Sequence, residues 1–105
     1  MPYTRGFRRL YLRNEHFDKH GAEVGADDES HYEELADVFL GAPISTTAKE
    51  CVRRSDGFTL RWDRQSNFFG VLSYDGYILT FYMIDPAWHR MPSNRAYFES
   101  ECNKR

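Results

Sequence analysis

His20 is the side chain in this sequence best suited to move a proton near neutral pH, because an unperturbed imidazole titrates there and both gives and takes a proton without special tuning. Lys19 stands beside it and His16 one turn before it, at the i,i+4 spacing that makes two residues helix neighbours. Arg61 and Lys19 offer positive charge to an anion, Arg through a two-pronged fork and Lys as a point charge. Thr80 and Tyr82 offer hydroxyls from one face of a strand. Each has a plainer reading. A helix-terminal His is commonly a cation facing the helix dipole, an outward Arg a cross-strand partner for Asp63 or Asp75, and Thr and Tyr ordinary strand formers. His31 lies in an acidic helix start and reads as solvated, and His89 reaches the others only if the segment after Pro86 folds back. His16 and His20 with Glu23 have an allowed metal-ligand spacing but no third convincing partner, so no metal site is expected. No cofactor motif is present in the sequence.

Elements must position these groups. The 105 residues allow one domain, and 41% apolar with 16% aromatic residues is enough to build a core. No run nears the roughly 18 apolar residues that span a bilayer, and the first twenty residues carry charges in place of a signal-peptide core. The net charge of −2 hides a partition: +3 over residues 1–20, −7 over 21–40 and +2 over 41–105, which allows a local basic surface beside an acidic helix. Two Cys, Cys51 and Cys102, without a CxxC pair, argue against a disulfide scaffold and read most simply as buried or free thiols, and their spacing leaves open whether they pair.

The spacing predicts a helix over 30–40. Ser30 and Glu33 stand at capping-box distance, Tyr32, Leu35, Ala36, Phe39 and Leu40 form one apolar face, and Gly41 with Pro43 ends it. A shorter helical segment built on Phe7, Leu10, Tyr11 and Phe17 reaches Gly21. From residue 49 the period becomes two, and runs at 49–54, 58–63, 68–74 and 77–84 predict an antiparallel meander. Asp75-Gly76 predicts a two-residue type I′ hairpin with Tyr74 opposite Tyr77. That register places Leu72, Tyr74, Tyr77, Leu79, Phe81 and Met83 on the core face, and Arg61, Thr80 and Tyr82 together on the other. Residues 94–103 are predicted as a terminal helix. The expected architecture is α+β in a single domain spanning 1–105, with a helical part over about 7–41, a four-stranded meander over about 49–84 and a tail from 86.

The string from Glu15 to Gly25, E-H-F-D-K-H-G-A-E-V-G, resembles the helix-to-loop motif of colicin D-like ribonuclease toxins. Tyr32, the stretch from Ala36 to Leu40, Arg61-Trp62-Asp63, the run from Asn67 to Val71, and Asp75-Gly76 followed by residues 78–82 continue the likeness in order and spacing. The set looks like the C-terminal toxin domains of contact-dependent growth-inhibition proteins, in the superfamily of barnase, EndoU, colicin and RelE nucleases. It covers roughly residues 14–85. Lys19 and His20 match the colicin D Lys–His cluster in part, and Thr80 and Tyr82 stand where that family carries a substrate-contacting Ser-x-Trp pair. The resemblance implies a metal-independent ribonuclease acting on tRNA, with His20, Lys19, Arg61, Thr80 and Tyr82 catalytic and His16, Arg64 and Asn67 binding substrate. It also implies a cognate immunity protein or antitoxin, and action in the cytoplasm of a target cell after delivery on a secreted effector. Cleavage without a metal needs a base for the 2′-hydroxyl, an acid for the 5′-oxygen and positive groups at the phosphate, giving 2′,3′-cyclic phosphate ends. A stand-alone toxin of the BrnT or RelE type, echoed by Lys19-His20-Gly21 with Val38-Phe39, and a non-catalytic interaction module remain the alternatives.

Overall fold

A computed structural model describes residues 2–105. Two helices come first, α1 (Leu10–His20) and α2 (Glu29–Gly41). Four strands follow, β1 (Ala48–Val52), β2 (Thr59–Asp63), β3 (Phe68–Leu72) and β4 (Ile78–Met83), and then α3 (Pro86–His89) and α4 (Asn94–Cys102). The strands form one antiparallel sheet in the order β1-β2-β3-β4. This is the α+β meander the periodicity predicts. Among the described residues no helix is long and apolar enough to cross a membrane.

α2 is capped differently from the expectation. Asp28, not Ser30, is its N-cap and accepts from His31 N at 2.7 Å. An acidic first turn offers several acceptors, and once Asp28 takes the helix end, Glu33 is free to accept from Phe7 N at 3.0 Å. Asp37, one turn on, accepts from the backbone N–H groups of Tyr3 and Thr4 at 3.0 and 2.7 Å and from the Thr4 hydroxyl. Burial pushes its carboxyl up, but these three donors more than offset that and hold it below the usual range. The acidic helix therefore straps down the N-terminal segment. That segment pairs with the start of β4 through Ile78 N to Gly6 O at 2.9 Å and covers an otherwise open sheet edge.

The β3–β4 hairpin departs from the two-residue turn. Ser73 N donates to Tyr77 O at 2.8 Å and Gly76 N to Ser73 O at 3.0 Å, and only Gly76 of the turn has positive φ, at 91°. The turn therefore has three residues and a glycine in the left-handed region, and pairing near it slips by one: Leu72 faces Ile78, not Leu79. An irregularity between Val71 and Leu72 absorbs the slip, so Val71 faces Thr80 and Gly70 faces Phe81. As a result Ile78 and Phe81, three apart, are both buried beneath the N-terminal helices, while Tyr74 is 79% exposed rather than in the core.

Both faces of the sheet are covered, where one covered face was expected. Phe7, Tyr32, Ala36, Leu40, Ile78 and Phe81 fill the layer under α1 and α2, and the Tyr32 hydroxyl donates to Phe81 O. Gly70 lies beneath α2 because a Cβ there would stand 2.9 Å from Leu40 Cδ2. On the opposite face Leu60, Trp62, Phe69, Val71, Tyr97 and Phe98 pack together under α4. Cys51 and Cys102 are not free thiols. They form a disulfide with Cα atoms 6.3 Å apart, which ties the end of α4 to β1.

The register corrects the placement of Arg61. Arg61 pairs with Gly70, and Gly70 with Phe81, whereas Thr80 shares its row with Val71 and Tyr82 shares its row with Phe69 and Trp62. Since side chains alternate along a strand, Arg61 faces α2 and does not share a face with Thr80 and Tyr82. Its Nη1 donates to the Phe39 and Ala42 carbonyls at 2.9 and 2.7 Å, and Nε and Nη2 donate to Glu50 at 3.0 and 2.7 Å. Arg61 thus satisfies the carbonyls at the C-terminal end of α2 and is itself only 9% exposed.

Candidate active site

His20 is the last residue of α1, at the end of an amphipathic segment whose Leu12 and Phe17 pack against the core. The chain then turns back, and the Glu23 carboxylate stands against the far end of β4. Its Oε1 lies 2.7 Å from His20 Nδ1, and its Oε2 accepts from Met83 N at 3.1 Å. Among the described residues His20 Nε2 has no hydrogen-bond partner, and the side chain is 26% exposed. A carboxylate on Nδ1 favours the tautomer with the proton there, which leaves an Nε2 lone pair free to take a proton from a substrate.

Rings surround the pair. The Tyr82 ring lies 5.1 Å from the His20 ring, and the Tyr82 hydroxyl is 2.7 Å from that of Tyr97. Burial first, and then the hydrogen bond with Tyr97, push the Tyr82 hydroxyl far above its ordinary value. Tyr97 is likewise raised, by burial. Tyr82 therefore meets His20 with its ring, while its hydroxyl is held by Tyr97. His16 lies behind, its ring 6.3 Å from His20 and stacked on Phe7 at 5.6 Å. Burial, reinforced by the charge of His20 and Lys19, lowers its pKa, and its buried Nδ1 has no partner among the described residues. His16 is a neutral backing ring at neutral pH.

Lys19 is exposed beside His20 on the same helix. Thr80 and Tyr82 line a concavity of about 350 Å³ between β4 and the end of α4, together with Arg53, Lys104 and Arg105. Arg53 is paired with Asp56 at 2.8 Å, and Lys104 with Glu101 at 2.7 Å. Arg64 and Asn67 are in the β2–β3 turn, where Asn67 has φ 64° and its carbonyl accepts from Ile84 N at 2.9 Å. Among the described residues neither makes a side-chain hydrogen bond with His20. A larger concavity, about 820 Å³, lies between the N-terminal segment and α2. Of its carboxylates, Glu33 and Asp37 are engaged by the backbone N–H groups of Phe7, Tyr3 and Thr4 and serve to hold the N-terminal segment.

The segment after Pro86 does fold back, and α3 brings His89 within 4.7 Å of the Tyr97 ring. Both its nitrogens are occupied, Nε2 with Asn94 Oδ1 at 2.8 Å and Nδ1 with Met91 N at 3.1 Å. His89 is a structural residue of this turn. Among the described residues no group of three His, Cys, Asp or Glu is placed to hold a metal ion. Sequence reasoning weighed Glu23 beside His20 only as a metal ligand, not as the carboxylate that holds its ring. Its contact with Met83 spans 60 residues, and no local pattern announces a pairing of that range.

No family model matches the chain, and no curated protein matches it. Among solved structures it is similar to a ribonuclease from Escherichia coli in complex with its inhibitor protein, with a TM-score of 0.59 and 17% identity. The match covers 83% of this chain and 95% of that one, and the likeness is one of fold.

Proposed function

We propose that this chain is an endoribonuclease toxin domain that needs no metal ion, and that His20 is its general base. The observation that carries the reading is the Glu23–His20 pair, with Nδ1 held, Nε2 open and the holding carboxylate tied to the β4 backbone. The likeness in fold to a ribonuclease supports it. In this account Nε2 takes the 2′-hydroxyl proton, the 2′-oxygen bonds to phosphorus, and the bond to the 5′-oxygen breaks as that oxygen takes a proton from solvent water, the imidazolium then returning its proton to the hydroxide so formed. The ends are a 2′,3′-cyclic phosphate and a 5′-hydroxyl. Glu23 stabilises the imidazolium that forms. Lys19 supplies charge to the non-bridging oxygens, and the Thr80 side of the concavity receives the flanking strand. Arg61 is outside the site and maintains the helix–sheet contact.

The proposed substrate is tRNA, whose unpaired loops present splayed bases and reachable 2′-hydroxyls. The producing cell would neutralise the domain with a protein partner, as the complex of the similar ribonuclease with its inhibitor suggests. The domain would act in a target-cell cytoplasm after delivery on a larger effector. Incubation with total bacterial RNA in the presence of a chelator tests the substrate class. Discrete fragments from tRNA are expected. RNA left intact by demonstrably folded protein would contradict the reading and favour a non-catalytic interaction module.

A further inference from the structure

The rings beside His20 continue outward to a residue with no role in the proton transfer. Trp88, on α3, has its ring 6.0 Å from Tyr82 and 5.4 Å from Tyr97, so a single tyrosine separates it from His20. It is nevertheless 53% exposed. The backbone that carries this half-exposed indole is held in place. The Asp85 side chain accepts from Ala87 N at 2.9 Å, Arg90 N donates to Pro86 O at 2.9 Å, and Arg90 closes the turn in the left-handed region. His89, with both nitrogens bonded, anchors the same turn to α4. A rigid, exposed aromatic needs little ordering to bind a flat ligand.

We infer that Trp88 is a nucleobase-stacking residue, which takes the base of a nucleotide flanking the phosphate presented to His20. The inference rests on the ribonuclease reading for its choice of occupant. Exposed cations on the two elements concerned, Lys19 beside His20 and Arg90 after Trp88, suit a polyanion whose bases lie flat on aromatic rings. Stacking accepts any base, so Trp88 contributes affinity and register, and sequence preference comes from other contacts.

The chain has two tryptophans, and Trp62 is 5% exposed and packed against Phe98, so quenching by a bound base reports Trp88. The full chain is titrated with a single-stranded RNA oligonucleotide whose 2′-hydroxyls are methylated, which binds but offers no nucleophile. Saturable quenching of the parent is expected, and the variants, which lack the reporting indole, are compared by fluorescence anisotropy of an end-labelled oligonucleotide, with affinity falling about tenfold in Trp88→Ala and retained in part in Trp88→Phe. On cleavable RNA, Trp88→Ala is expected to raise KM about tenfold with kcat changed less than threefold, the loss of one stacked base. Absence of quenching, or a KM within twofold of the parent, would overturn the assignment. The two readings fail separately. Quenching without cleavage removes the nuclease and leaves the stacking site, whereas His20-dependent cleavage without quenching removes the stacking site alone. Quenching by a protein partner but not by the oligonucleotide would make Trp88 a protein contact and would also overturn it.

Discussion

Glu23 joins His20 to Met83: one carboxylate oxygen lies 2.7 Å from His20 Nδ1, and the other accepts the Met83 backbone N–H at 3.1 Å. The same group therefore orients the imidazole and occupies a donor on the open edge of β4. A histidine at a helix end is otherwise free to rotate, and this bridge gives the ring a defined orientation with Nδ1 held.

Glu23→Gln keeps the size of the side chain and an oxygen for Met83 N–H but removes the charge that stabilises an imidazolium. The expected result is a fall of about 10²-fold in kcat on RNA, with the circular dichroism spectrum unchanged. Activity within threefold of the parent would show that His20 does not depend on Glu23.

His16 links stability to pH. Its folded-state pKa lies below the ordinary 6.5, so the unfolded chain binds that proton more readily than the folded one. The folded state is therefore favoured above the unfolded value, and this contribution is lost as pH falls from about 6.5 toward the lowered folded value. Thermal unfolding followed from pH 7.5 to 5 is expected to show a declining midpoint, and His16→Phe to flatten the decline. An equal slope in both proteins would contradict the burial of a neutral His16.

Arg61→Met removes the donors to the Phe39 and Ala42 carbonyls and leaves Glu50 unpaired. Destabilisation of about 2–4 kcal/mol is expected in urea denaturation. Specific activity per folded molecule should stay within threefold, since Arg61 faces α2. A stable protein with activity lost a hundredfold would return Arg61 to the catalytic site.

The Cys51–Cys102 bond closes a loop with a sequence separation of 51. The chain-entropy model gives such a loop about 4 kcal/mol of stabilisation. Urea denaturation of the Cys51→Ser, Cys102→Ser double variant is expected to show a loss of that order, as is the parent under reductant. Equal stability with and without reductant would mean that α4 holds its place by packing alone.

The element types and their order were legible because burial stamps its period on sequence: three to four residues for Tyr32, Ala36 and Leu40, two for the strands. The register near the hairpin was less so. Asp75-Gly76 fits both a two-residue turn and a three-residue turn with glycine third, and choosing the first put Tyr74 inside. The compensating irregularity at Val71–Leu72 then restored Gly70 opposite Phe81. The faces of β2 relative to β4 could not be read from alternation alone, since both faces of the sheet are buried and Arg61 hides among apolar neighbours on one of them. Within the candidate site, His20 and Tyr82 are legible in the sequence and lie together, and Glu23 stands three residues from His20 but reads there as a metal ligand; its bond to Met83 and the rings of Tyr97 and Trp88 come together only in the assembled fold. The Cys51–Cys102 pairing is illegible in the sequence for the same reason.

Removal of a proton from RNA by His20 is the step on which the proposed function stands. It is tested by incubating parent and His20→Ala proteins with tRNA under chelator, followed by chemical mapping of the cut ends. Discrete cuts bearing 2′,3′-cyclic phosphate are expected from the parent, with a loss of at least a hundredfold in the folded variant. Equal cleavage by both proteins, or ends carrying a 3′-hydroxyl and 5′-phosphate, would contradict it.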